Sequence, residues 1–435
     1  MRHWFRDQHF RSLLKNSSYL AISRIVAAVA GIATLSFAAH ALGVLQFGAL
    51  ILITSYATAV SGIAKFQSWQ LIVRYGSRAV HGEVDDFKTS TGFAFALDAS
   101  SGVAGMIIAV LILPFVASWI GITSDQLWLA MFYCTLLPTM GAATPSGVLR
   151  ALDRFDLISW ASTANPIARA ALVMIAYFAG APLGAYVAIW YLTDLGGDLY
   201  LWFLAWRELR RRDLLKGIRP TLRPDTLPGA WRFAINVNLN ATVLAAWGPL
   251  ARVVVGGLLG AKGAALFRVA SALSDSASKP ADLLAKAFYP EVVRMDLSKK
   301  KPWKLMVRGT VLAAGLALIA ILILVLGGKP LVTLLFGKQF IGAYEALVIL
   351  MVIPFLSVFS FPLGPMLYAL DRSDGPTKAR FIGTAVFFLL IAPLCWRFGV
   401  IGAAVALVLG NLTTVGAMMW QLRGEYRRVR PPKPI

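Results

Sequence analysis

The feature that most limits the folds open to this chain is a run of apolar residues long enough to cross a lipid bilayer, repeated from one end to the other. About 20 residues rising 1.5 Å each span the hydrocarbon core. Such runs fall near residues 20–42, 47–73, 91–118, 127–149, 157–179, 183–205, 231–258, 263–289, 305–326, 341–370, 376–396 and 399–422. Composition agrees: the chain is 58% hydrophobic and 14% charged, against about 25% charged in a soluble domain. Water is therefore not its main solvent, and the expected class is an all-α integral membrane protein of about twelve transmembrane helices.

The basic residues sort along this map. Placing the N-terminus and every second loop in the cytoplasm collects 31 of the 42 Lys and Arg there, while the opposite loops hold only Lys262, Lys329, Lys338 and Arg397. The positive-inside rule then puts both termini in the cytoplasm. That rule also accounts for most of the pI near 10.3, so the charge is not a nucleic-acid footprint. "AHA" at 39–41 has the look of a cleavage site, but the length of the first run and the eleven that come after it argue for a retained anchor. Cys134 and Cys395 both lie in expected spans without a C-x-x-C partner, and the four histidines are scattered. The chain therefore encodes no disulfide framework, no metal site and no cofactor.

The octapeptide "LRALDRFD" at 149–156 returns as "LYALDRSD" at 367–374. At the same offset of 218, "GAYVA" (184–188) falls on "GAAVA" (402–406), and Trp202 and Leu204 fall on Trp420 and Leu422. "LGVLQFGAL" (42–50) pairs with "LGAKGAALF" (259–267) at an offset of 217. The expected organisation is two homologous six-helix lobes, residues 1–206 and 231–435, joined by a basic cytoplasmic linker at 207–230. Six is even, so both lobes enter the membrane from the same side. Parallel repeats of this kind are a transporter signature, with substrate held between the halves.

With these segments the chain resembles the multidrug/oligosaccharidyl-lipid/polysaccharide (MOP) exporter superfamily, and within it the Wzx-like polysaccharide flippase branch. The residues carrying the resemblance are Leu42, Gly43 and Gly48 after span 1, and Leu259, Gly260, Ala265, Leu266 and Phe267 after span 7. Ala265 departs from the Gly usual in the family. The resemblance covers essentially the whole chain and implies a MATE-like fold in a bacterial inner membrane. It further implies a lipid-linked substrate, an undecaprenyl-pyrophosphate-linked oligosaccharide destined for lipopolysaccharide or exopolysaccharide. Membrane lipids and polysaccharide polymerase or assembly proteins are the implied partners.

Charges at membrane depth are costly, about 2.5–3.5 kcal/mol each on insertion scales, and normally face a protein interior or a wet cavity. Arg169 and Asp194 are placed to pair between spans 5 and 6, with Asp198 one turn further on. Asp275–Lys279 and Asp282–Lys286 have the acid-first spacing of helical ion pairs, on a span that Pro280 bends. Arg24, Lys65, Arg252 and Arg268 have no acid at comparable spacing. They lie on spans 1, 2, 7 and 8, which in the resembled family line the central cavity, and are the candidate pyrophosphate ligands, since Arg gives bidentate contacts to phosphate and Lys a compact charge. Snorkelling to an interface is the competing account, strongest for Arg24 and Arg268. Asn236, Asn240 and Trp69 are candidate sugar contacts; helix-to-helix hydrogen bonds and interfacial anchoring are their ordinary uses. Asp98, Asp275 and Glu345 are candidate ion-coupling carboxylates. Asp153, Arg154, Asp371 and Arg372, in the two "ALDR" copies, are either plain helix caps or an inner gate.

No phosphate loop is present, since "LGGKPL" (326–331) lacks the upstream Gly and the following hydroxyl, and no catalytic constellation stands out. The leading expectation is a flippase working by alternating access and not an enzyme. The alternatives are a cation-coupled multidrug exporter, a peptidoglycan-precursor flippase, which usually has two further spans, and a membrane glycosyl-transfer enzyme.

Overall fold

The computed structural model describes residues 8–76, 84–293, 300–370, 372 and 374–429, with side chains from Val26 onward apart from scattered positions that include Asn240, Asp282 and Lys286. Among the described residues all regular structure is helical. Fifteen α-helices succeed one another: α1 (Gln8–Ala64), α2 (Ser68–Gly76), α3 (Asp85–Ile120), α4 (Leu127–Cys134), α5 (Ala143–Ala151), α6 (Phe155–Phe178), α7 (Leu183–Arg211), α8 (Ala230–Ala245), α9 (Ala251–Val293), α10 (Lys300–Leu326), α11 (Gly328–Phe336), α12 (Ala343–Leu350), α13 (Val352–Ser360), α14 (Leu363–Ala369) and α15 (Gly375–Val429). A π-helical turn, Ala246–Leu250, joins α8 to α9. Each of the twelve apolar runs falls on one helix or on short helices in series.

Three helices are two spans joined through a glycine. Gly43 bends α1 at φ 66°, Gly260 bends α9 at φ 68°, and Gly399 bends α15 at φ 57°. Only glycine takes such angles without a Cβ penalty. Gly43 and Gly260 are the glycines of the two repeated "LG" segments, so the sequence repeat is also a repeat of backbone conformation. Among the described residues six segments are long and apolar enough to cross a membrane, and Val26–Gly76, Trp247–Lys279 and Gly375–Tyr426 each contain one of these bends. The outward faces carry Phe115, Leu326, Leu334 and Trp420, between 77% and 85% exposed. Lipid accepts such a surface and water does not.

The chain forms two compact units, Met1–Val253 and Val254–Ile435. In the first, Ile72, Phe87, Val148, Leu149, Ile158, Leu204 and Leu209 make one buried cluster. A second cluster, Leu71, Phe93, Leu97, Leu227, Ala230 and Ala234, packs the end of the basic linker and the start of α8 onto α2 and α3. Gly92 shares this contact, since a Cβ there would stand 2.1 Å from the Arg219 carbonyl oxygen. The second unit is built around Phe288, Trp303, Phe361, Met366, Leu367 and Leu422.

Two interruptions break the helices of the first unit. Residues 65–67 separate α1 from α2, and residues 135–142 separate α4 from α5, the latter turning through Gly141 (φ 83°) and Ala142 (φ 33°). The end of α1 and the second interruption touch α3 at its small residues: a Cβ on Gly105 would meet Ala64 at 2.8 Å, and one on Gly102 would meet Pro138 at 2.8 Å. Irregular backbone at membrane depth is tolerated only where protein or a wet cavity satisfies it. Here buried polar side chains supply part of that satisfaction.

Candidate functional site

Lys65 follows the last residue of α1 and is 6% exposed. Its Nζ donates to the carbonyl oxygens of Pro138 (3.1 Å) and Met140 (2.6 Å), inside the α4–α5 interruption. Asp98 on α3 is 5% exposed. Its Oδ1 accepts from Ser68 Oγ at 2.5 Å, and its Oδ2 accepts from the Thr144 N–H at 3.0 Å and Thr144 Oγ1 at 2.6 Å. Ser68 opens α2 and Thr144 lies in the first turn of α5, so one carboxylate caps the N-terminus of α5 and holds the first side chain of α2, at helix ends where the macrodipole favours an anion. Asp98 and Asp198 are the acids whose charges act on Lys65. The sequence assigns Lys65 to a phosphate and Asp98 to an ion; the structure brings them together in one buried knot. Ser68, Thr144 and the two carbonyls are not legible in the sequence, where the only signal is their position at the ends of apolar half-runs.

One layer away, Arg169 and Asp194 form the expected ion pair between α6 and α7. Arg169 Nε also donates to Thr193 Oγ1 (2.8 Å), and the Tyr133 hydroxyl donates to Asp194 Oδ2 (2.7 Å). The Trp190 ring lies under the guanidinium, 5.4 Å from its centroid. These contacts tie α4, α6 and α7.

Arg252 is the second residue of α9, just past the π-helical turn, which contains Pro249. Its Nε donates to the Oγ of buried Ser55 on α1 at 2.8 Å. Arg268 lies further along α9, half-buried, with Asp275 as the acid acting on its charge. Arg24 is on α1 and Asn240 on α8, both with side chains outside the described residues, while Asn236 is exposed on α8. Trp69 is half-buried, donates to Gln67 Oε1 (3.1 Å) and has the Arg150 guanidinium 4.3 Å from its ring centroid. Glu345 sits exposed in the first turn of α12, on a different unit from Asp98.

The "ALDR" segments have a local explanation. Asp153 takes φ 57°, its N–H donates to the Arg150 carbonyl (3.1 Å), and the Arg154 N–H donates to the Leu149 carbonyl (2.8 Å). This is a Schellman cap, with Asp in the left-handed position that glycine usually fills. In the second copy the Arg372 N–H donates to the Leu367 carbonyl at 2.9 Å; Asp371 lies outside the described residues. The side chains then find acids within their own unit. Arg154 pairs with Asp156 (2.8 Å) and Glu208 (2.7 Å), and Arg372 with Glu425 (2.7 Å).

Long apolar helices bent at glycines, broken at buried polar ties and covered by lipid-facing side chains define an all-α multispan membrane protein. Among solved structures, an inward-facing multidrug resistance MATE family transporter of the MOP superfamily aligns over 95% of this chain and 98% of its own at TM-score 0.74 and 15% identity. The lipid II flippase MurJ, in an inward closed conformation, aligns over 94% and 89% at TM-score 0.69 and 11% identity. The chain belongs to the polysaccharide biosynthesis protein family, whose model matches residues 13–295. A relative, the inner membrane protein YghQ of Escherichia coli (strain K12), is 38% identical over 349 residues, covering 79% of this chain and 98% of that one.

Proposed function

We propose that the protein is a flippase that carries an undecaprenyl-pyrophosphate-linked oligosaccharide from the cytoplasmic to the outer leaflet of a bacterial inner membrane. Family membership supports a role in making polysaccharide, and the inner-membrane relative and the flippase among the structural neighbours support the compartment and the step. Both termini face the cytoplasm in this proposal, polymerase or assembly proteins take the product, and transport proceeds by alternating access.

The observation that carries the anion-binding part is Arg252. It is a guanidinium at membrane depth, in the first turn of α9 and two residues past a π-helical turn of the kind often found at functional sites, and its Nε is fixed by Ser55. A guanidinium has five donors in a planar fork suited to phosphate oxygens. Arg24 and Arg268 complete the cationic set, and Asn236 and Asn240 are the sugar contacts. Lys65 and Trp69 leave these sets, because the first already serves two carbonyls and the second already holds Arg150 and Gln67.

The test replaces Arg252 in the living strain. Arg252→Ala is expected to cut flipping of the lipid-linked oligosaccharide at least about tenfold at unchanged protein level, as loss of one charge-assisted phosphate contact implies, with Arg252→Lys retaining part. Normal surface polysaccharide in Arg252→Ala would overturn the assignment.

A further inference from the structure

The Lys65 ammonium occupies a place built of oxygen atoms. The Pro138 and Met140 carbonyls point at it from the α4–α5 interruption at 3.1 and 2.6 Å. Asp98 and Asp198 supply the negative charge that acts on it. Unwound backbone carbonyls beside the C-terminal end of a half-helix are the donor set with which discontinuous transporter helices hold Na⁺. α4 is such a half-helix, ending at Cys134, and α1 ends at Ala64, the residue before Lys65. We infer that this is a monovalent-cation site in which the chain supplies the cation: the Lys65 ammonium stands where a sodium ion would otherwise bind.

The consequence is a difference between a bound and a tethered charge. A free ion can leave toward either side of the membrane and so couple its gradient to transport. An ammonium on a four-carbon stem neutralises the same oxygens and cannot leave. The knot is thus permanently in its cation-loaded arrangement, with the α1–α2 and α4–α5 interruptions held against α3 whatever ions surround the protein. Asp98, read from sequence as an ion-coupling carboxylate, serves in this inference as the fixed cap of α5 and the tie to Ser68 at the start of α2.

This inference is independent of which glycan is carried, and its test reads cations and not transport. The full-length protein is purified in lipid nanodiscs, and Tm is measured in sodium, potassium and choline chloride at equal ionic strength. The native chain is expected to melt at one temperature in all three. Lys65→Ala empties the site and is expected to melt lower in choline and to recover about 3 °C or more in sodium, with methylammonium, which replaces the lost group, also restoring it. Lys65→Met fills the space without charge and is expected to respond to none of them. Equal responses of the Ala and Met variants would overturn the inference. Should Lys65→Ala fail to accumulate, sodium titrated into the native protein decides: absence of saturable binding supports a tethered cation, and saturable binding that Asp98→Asn abolishes refutes it.

Discussion

At Arg154 a single side chain fastens the end of one bundle. Its guanidinium donates to both oxygens of Asp156 and to Glu208, which also accepts from Arg212 at 2.9 Å. The two Arg154 hydrogen bonds hold the Asp156 carboxyl below its ordinary 3.8. Burial pushes Glu208 upward, but its bonds to Arg212 and Arg154 outweigh that and hold it below its ordinary 4.5. A carboxyl depressed in the folded state stabilises fully above its unfolded pKa, and that contribution is lost as pH falls through the folded value. The fastening therefore does not sense physiological pH. The Tm difference between the native chain and Arg154→Ala should stay constant from about pH 6 to 8 and shrink below about pH 4; a difference that grows toward acid would contradict it. Sequence alone could place Arg154 at the end of a span but not name its partner. Helical spacing reveals partners three or four residues away, whereas Glu208 is 54 residues on, and Lys65 reaches carbonyls 73 and 75 residues away.

Helices and their ends were far more legible, because they depend on local chemistry. Apolar runs mark the spans. The two "LG" segments mark bends at Gly43 and Gly260, whose φ angles differ by only 2° across a separation of 217 residues. Less visible were the interruptions at 65–67 and 135–142: "KFQ" sets two polar residues inside an apolar run without marking a helix end, "TLLPTMGA" stays largely apolar, and only the tertiary ties show why the helix stops. With ψ at 178° and −174°, both bends lie in the extended positive-φ region that is essentially restricted to glycine. Another residue there costs about 1–3 kcal/mol, so Gly43→Ala and Gly260→Ala should each destabilise the protein by that amount in a denaturation titration. Gly31→Ala is the control: Gly31 has no positive φ, and an added Cβ there meets nothing within 4 Å. That substitution should be neutral or slightly stabilising, since alanine is the better helix former. Equal losses at Gly31 and Gly43 would mean that the bends are incidental to folding.

Across the whole molecule the repeat preserves backbone and not chemistry. The positions 218 residues beyond Arg169 and Asp194 are Phe387 and Leu412, so the ion pair that ties α6 to α7 has no counterpart in the second unit. Such differences between copies are read from the aligned residues themselves and not from the pattern of apolar runs, which both halves share. If the first unit carries its own tethered cation and the substrate is an anion, the remaining driving force is the membrane potential acting on the substrate's headgroup. One charge moved through 100 mV is worth about 2.3 kcal/mol, which is roughly a fifty-fold bias per charge, directed outward when the interior is negative. In proteoliposomes with a fluorescent polyprenyl-pyrophosphate-linked sugar, a potassium diffusion potential should shift the leaflet distribution in that sense, and a sodium gradient of equal size without a potential should not. A distribution that tracks sodium and ignores the potential would transfer the energy source to a coupled ion and would require an exchangeable cation site elsewhere than at Lys65.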